Sequence, residues 1–398
     1  MGGAASGDGE RMAVQQGGGA DLARLRRFNE QAVLTAVRAA GARRVAEIAA
    51  DTGLSRASVE DVVRGLIERG WLAEQAPVAV GRGRPARRYR FRGEAGRLLG
   101  IDIGAYNIRA AVADLNGTVL ASVRTASTPR SSRSRRLAAL DAAVRDCLAA
   151  ADTNPGAVWV TGVGTTGWVD RAGRVVLANA IPDWSGVDLA GHLSAALPGP
   201  VLVENDSKLA ALAEQRRGAG RGVPDMVLLQ AGRRTGIGLV IDGRLHRGAG
   251  GVAGDLSLLP TLKWESAVEF LRQCPLPPTG VLAGNRIDAV LAAAGAGDPA
   301  ATRAVRRYVR TMAGAAAAAV AIVDPVALVL AGSLSRRGDV LLPPLVEELA
   351  LLCLRPPEVR VSTLGADAVA LGGVCLAQDR LESHLAGTDR PLAAPAAS

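Results

Sequence analysis

A chain of 398 residues is long enough for two or three domains with their own cores, and its 48% apolar content supplies them. The net charge of +9 points to an anionic partner, but arginine carries almost all of it, Lys208 and Lys263 being the only lysines, so the position of charge matters more than the sum. Four scattered cysteines with no C-x-x-C pair exclude a disulfide scaffold, Asp324-Pro325 breaks the longest apolar run and excludes a membrane span, and the polar start lacks a secretory core, so a cytoplasmic protein is expected.

Residues 1–19 lack apolar periodicity and are expected to be disordered. From Asp21 the pattern is helical, with Leu22, Leu25, Val33, Leu34 and Val37 on one face and Gly41 as the stop. A short helix from Val45 to Asp51 halts at Thr52-Gly53. Ser55 then caps a third helix, in which Val59, Val62, Val63, Leu66 and Ile67 recur at helical spacing until Gly70. Two helices joined by a glycine-containing turn form a helix-turn-helix.

Trp71-Leu72, Val78-Ala79-Val80 and the alternating Tyr89 and Phe91 add two strands around a basic tip, which predicts a winged helix-turn-helix over residues 20–92. Arg82, Arg84, Arg87, Arg88, Arg90 and Arg92 crowd a stretch without a single acid. The run Arg82-Gly83-Arg84-Pro85 suits a DNA minor groove, where guanidiniums on a slim backbone enter a narrow slot of negative potential. The third helix, starting at Ser55, offers Arg56, Ser58 and Arg64 to the major groove or its phosphates, with Glu60 and Asp61 facing away or reading a cytosine. The competing interpretation is a small helical oligomerisation domain with a solvated charged loop.

Residues 97–380 read as an α/β body in two lobes, followed by a flexible tail over 381–398. Strands at 98–103, 108–113 and 119–123, the second and third joined by the Asn116-Gly117 turn, form an antiparallel meander. A helix carrying Leu137, Leu140, Val144 and Leu148 follows, then strands near 157–163 and 201–203 and a helix from about Ser207. The second half repeats the theme with strands at 226–230 and 237–241, a hairpin at Asp242-Gly243, helices, a strand at 327–330 and a closing helix. Two lobes with similar openings imply a cleft between them.

Five motifs fall in order: Gly100-Ile101-Asp102-Ile103-Gly104, Gly162-Val163-Gly164-Thr165-Thr166-Gly167-Trp168-Val169-Asp170, Val203-Glu204-Asn205-Asp206, Gly251-Val252-Ala253-Gly254-Asp255, and the stretch Leu364–Gly372. Together they resemble the ROK family of repressors, open reading frames and kinases of bacterial sugar metabolism, over about residues 20–380. The resemblance implies an actin-like ATPase (ribonuclease H-like) body that holds a sugar between its lobes. It also makes the N-terminal winged helix the mark of the family's regulators.

By that resemblance Asp206 is the general base of the kinases, Asn205 hydrogen-bonds the sugar, and Gly167, Asp255 and Glu265 belong to the ligand site. Read as residues alone, Asn205 and Asp206 equally suit the cap of the next helix, and Asp255 and Glu265 suit ordinary exposed carboxylates. The family's zinc histidine and cysteines are missing, since Asp255-Leu256-Ser257-Leu258 stands where Glu-x-Gly-His is usual, so no metal or other cofactor is expected. The phosphate turns depart as well. Ala105-Tyr106-Asn107 replaces a Gly-Thr-Lys pattern, and Ala331-Gly332-Ser333 thins a glycine-rich turn. Arg233-Arg234 falls at the second turn, or, in a shifted alignment, Thr235-Gly236-Ile237-Gly238 does.

The expectation is a sugar-responsive regulator, a repressor of carbohydrate genes without kinase activity, that binds a double-stranded DNA operator as a homodimer or homotetramer. Sugar-driven lobe closure would re-space its DNA-binding domains. The alternatives are an active ATP-dependent sugar kinase with an appended DNA-binding domain, favoured by Asp206, and a DNA-binding protein whose cleft binds nothing.

Overall fold

The computed structural model describes residues 8–75, 87–232, 235–256, 259, 266–276 and 286–386. They fall into two compact units. One holds the chain up to Arg97 with Asp114–Thr118 and the chain from Gln378; the other holds Leu98–Ala113 and Val119–Ala377.

The first unit is built from helices α1 (Asp8–Ala40), α2 (Val45–Thr52) and α3 (Arg56–Glu68), and strands β1 (Leu72–Gln75) and β2 (Arg88–Phe91). Gly53 ends α2 in the left-handed conformation at φ 72°, and Ser55 Oγ caps α3 by accepting the Ser58 amide at 3.1 Å. Val33, Leu34, Val37, Ile48, Val59, Val62, Val63 and Leu66 are buried, so the periodic faces predicted for the three helices meet in one core. Trp71 and Phe91 close it, stacked with ring centroids 6.1 Å apart. β1 and β2 pair antiparallel from Leu72↔Phe91 to Gln75↔Arg88, and Arg43 adds a bridge to Tyr89, giving the base of a wing. The predicted strand at Val78-Ala79-Val80 lies outside the described residues.

Helix runs past both expected ends of the folded chain. Helix α1 reaches back to Asp8, not Asp21, because the stretch Glu10–Gln16 is rich in good helix formers and the cost of the three glycines at 17–19 is local. At the other end, α11 (Ala368–Ala386) continues six residues into the expected tail. Leu381 and Leu385 are buried there, and Glu382 pairs with Arg38 at 3.6 Å.

The second unit contains two five-stranded sheets of one topology. The first is ordered β5-β4-β3-β6-β9, from β3 (Arg97–Ile103), β4 (Asn107–Asp114), β5 (Val119–Ala126), β6 (Val158–Thr165) and β9 (Val201–Asn205). The second is ordered β12-β11-β10-β13-β14, from β10 (Met226–Gln230), β11 (Gly236–Ile241), β12 (Arg244–Leu245), β13 (Ala327–Ala331) and β14 (Glu358–Val361). In each, the opening hairpins are antiparallel and the later strands parallel, which aligns the parallel strand ends on one edge. The hairpin between β11 and β12 turns at Asp242 and Gly243, both with positive φ.

Helix α4 (Arg133–Ala150) covers the first sheet with Leu140, Val144 and Leu148; beyond α7 (Val268–Arg272) and α8 (Arg286–Gly295), α9 (Pro299–Val323) and α10 (Gly338–Leu352) cover the second with Tyr308, Met312, Leu341 and Leu345. A short hairpin of β7 (Trp168–Val169) and β8 (Val175–Leu177) leads to α5 (Leu189–Ser194). Helix α6 (Asp206–Arg217) follows β9 directly and packs against both sheets. At Gly238 a Cβ would meet the Ser207 carbonyl at 2.5 Å, so only glycine lets β11 pass this close to the start of α6.

Candidate functional site

Two places concentrate chemistry. In the first unit, Ser55, Arg56 and Arg64 of the α3 segment are exposed and Ser58 is half-buried. Ser55 Oγ lies 2.9 Å from Ser58 Oγ and is committed to the helix cap, and Arg64 sits 3.7 Å from the exposed Asp61. The wing arginines differ from their linear appearance. Arg87 pairs with Glu74 at 3.3 Å, Arg88 with Glu47 at 3.5 Å, Arg90 with Glu94 at 2.7 Å and Arg92 with Glu94 at 3.8 Å. Four of the six arginines therefore share three glutamates, Glu47 and Glu74 brought by folding and Glu94 from just beyond the stretch. Arg82 and Arg84 lie outside the described residues.

In the second unit, the ends of β6, β9 and β10 and the turn around Gly251 line an open cleft. Gly167, Asn205, Asp206 and Asp255 all line it, so four of the five sequence-predicted ligand residues converge; Glu265 lies outside the described residues. Asn205 does cap α6: its Oδ1 accepts the Lys208 amide at 3.2 Å while Nδ2 donates to the Gly167 carbonyl at 2.9 Å. The side chain thus ties the turn after β6 to the helix start. Asp206 is half-buried, and its Oδ1 accepts the Ser207 amide at 2.8 Å. Asp255 is exposed at the turn.

Lys208, Trp168, Gln230, Thr235 and Asn179 line the same cleft, although the sequence assigned none of them to the ligand site. Trp168 donates its indole N–H to the Gly250 carbonyl at 3.0 Å. Gln230 Oε1 and Thr235 Oγ1 are buried with no hydrogen-bond partner among the described residues. Lys208 is buried, 4% exposed, and its ammonium donates to the Gly251 carbonyl. Burial lowers its pKa, against the raising fields of Glu204 and Asp255. Glu204 is committed on both oxygens, Oε1 to the Asn205 amide at 2.8 Å and Oε2 to Arg247 at 2.5 Å.

Close by, Asp102 at the end of β3 is buried, and burial together with the Asp206 charge raises its pKa to about 7, against the lowering influence of Arg109 at 3.6 Å. Arg109 also reaches Asp367 at 3.6 Å. The first turn, Gly104 to Asn107, leaves Tyr106 exposed. Its Gly104 carbonyl is held from behind at 2.7 Å by the fully buried Arg136, which also donates to Thr128 O at 2.7 Å. At the second turn, Gln230↔Gly236 is the last pair of β10 and β11, so Thr235 ends the turn, and Arg233 and Arg234 lie outside the described residues.

Comparison with known proteins follows the same division. A model of the ROK family matches residues 98–259 and 281–380, and a model of the IclR helix-turn-helix domain matches residues 32–76. A glucokinase of Streptomyces coelicolor is 28% identical over 284 residues, 63% of this chain and 86% of that protein. A xylose repressor of Caldicellulosiruptor bescii is 25% identical over 203 residues, 51% of each chain. A solved ROK family transcriptional regulator, a homolog of the E. coli MLC protein, superposes with a TM-score of 0.72 at 21% identity, covering 91% of this chain and 98% of its own. The fold is that of a helix-turn-helix region followed by the two-sheet, actin-like ATPase body of the sugar kinases.

Proposed function

This chain belongs to the ROK family, and from that premise we propose that it is a sugar-responsive DNA-binding transcription regulator, a repressor that releases its operator when a sugar fills the cleft. The observation that carries the proposal is the pairing, in one chain, of a helix-turn-helix with a cleft whose buried Gln230 Oε1 and Thr235 Oγ1, beside Asp206 and Asp255, have no partner among the described residues. Buried polar atoms of that kind suit the hydroxyls of a polyol, which both donate and accept. Asp206 and Asp255 accept from vicinal hydroxyls, Asn205 offers its second amide hydrogen, Gly167 leaves room for the ring, and Glu265 completes the set. On the DNA side, Arg56, Ser58 and Arg64 face the major groove behind the Ser55 cap, and Arg82 and Arg84 enter the minor groove, in a homodimer or homotetramer on a palindromic operator.

Similarity to a xylose repressor supports repression, whereas similarity to glucokinases favours catalysis by Asp206. Against catalysis stand Ala105-Tyr106-Asn107 at the first turn and the exposed tyrosine ring there. Gel-shift of the full chain on DNA upstream of its own gene, with and without a panel of sugars, tests the proposal. A shift abolished by one sugar supports it; DNA binding indifferent to every sugar removes the effector half. Sugar-dependent ADP release from ATP would move the chain to the kinases.

A further inference from the structure

Lysine is almost absent from this protein, which uses arginine in nearly every basic position, yet Lys208 stands inside the cleft. It occupies the first turn of α6, two residues after Asp206, and is 4% exposed. The hydrogen bond drawn from its ammonium goes to a neutral group, the Gly251 carbonyl. Of the two anions that act on it, Glu204 is already engaged by Arg247 and by the Asn205 amide, and Asp255 stands exposed at the cleft, where water screens its charge. A desolvated ammonium is costly to keep unless anionic oxygen shares it, and an ammonium has three donors to share.

The cleft wall is thus uneven. Lys208 is the lysine among its lining residues, with Asp206 and Asp255 as the carboxylates; Asn205, Gln230 and Thr235 bring amide and hydroxyl groups suited to ring hydroxyls. Burial pulls the lysine's pKa down, the signature of a cation stripped of water. A carboxylate or phosphate on the ligand would restore the lost solvation and form a charge-assisted hydrogen bond.

We propose that the cleft selects an anionic sugar, one bearing a carboxylate or a phosphate, and that Lys208 is the residue that reads the negative group. The inference rests on the effector-cleft reading above and narrows its ligand class. Isothermal titration of the full chain with matched pairs tests it: glucuronate against glucose, galacturonate against galactose, and glucose 6-phosphate against glucose, with gluconate as an open-chain acid. The acid of at least one pair is expected to bind roughly tenfold or more tightly than its neutral parent, the gain from one charged hydrogen bond. Lys208→Met is expected to erase that preference, so that in the variant the acid and its neutral parent bind within about twofold of each other.

A neutral sugar bound as tightly as its acid, or a preference that survives Lys208→Met, overturns the inference and leaves the effector cleft standing. Binding of no sugar, neutral or acidic, at millimolar concentration overturns the cleft reading itself. The carboxylate and phosphate arms separate the two sources of the charge. The wild-type pairs decide the matter even where Lys208→Met fails to fold.

Discussion

The wing and the cleft both gather charge, but they spend it differently. Along the wing four arginines are paired with glutamates at or near the surface, Arg90 and Glu94 being 42% and 48% exposed, and each pair is screened by water and salt. In the body, Arg136, Asp102, Glu204 and Lys208 are buried, and each must be met by carbonyls, hydroxyls or an opposite charge. A dense run of charge in sequence is therefore a poor measure of what is left for a partner. A single buried charge at the mouth of a helix says more.

Four changes would break or sharpen this contrast. The largest effect is expected from Arg136→Met, which leaves Gly104 O and Thr128 O without their donor in the interior, a loss of about 3–5 kcal/mol in chemical denaturation. A loss below about 1 kcal/mol would mean that the buried guanidinium is no better than a surface one. Next comes pH. Asp102 titrates near 7 in the folded chain and near 3.8 when unfolded, so the folded state holds the proton more tightly and stability falls as pH rises from about 4 to about 7. At about 1.4 kcal/mol per unit of difference, the term amounts to at most a few kcal/mol. Asp102→Asn should flatten that part of the stability profile, and an unchanged slope would place the titration elsewhere.

On DNA, replacing Arg82 and Arg84 with alanine should lower operator affinity by roughly tenfold or more and reduce the salt slope by about two, whereas Arg87→Ala, already paired with Glu74, should cost about twofold. Equal effects at all three would show that internal pairing does not decide which arginine reaches DNA. The smallest effect is expected from Glu94→Gln, which removes the partner of Arg90 and Arg92 and should cost no more than about 1 kcal/mol, diminishing with added salt.

The helix-turn-helix was legible because its signals are local. Gly53 and Ser55 act through their own neighbours, and Val59, Val62, Val63 and Leu66 declare their face by spacing alone. The two-sheet body was legible from the order of its strands and glycine motifs, and Asn205 and Asp206 from their place between a strand and a helix. Lys208 was hidden because its meaning depends on Gly251, 43 residues away, and Gln230 because a polar residue at a strand end looks ordinary until its burial is known. The wing pairs were hidden for the same reason, Glu47, Glu74 and Glu94 lying outside the arginine run. Periodicity found no start for α1 before Asp21, and it stopped α11 short because Leu381 and Leu385 belong to a face set by tertiary packing.

The central claim is that a cleft ligand and DNA compete through one protein, and linkage tests it most directly. Fluorescence anisotropy gives the operator Kd of the full chain without and with saturating sugar, and calorimetry gives the sugar Kd without and with saturating operator. The account expects both to weaken by one and the same factor, about 5- to 150-fold for an ordinary coupling. A factor of one in both titrations would contradict it.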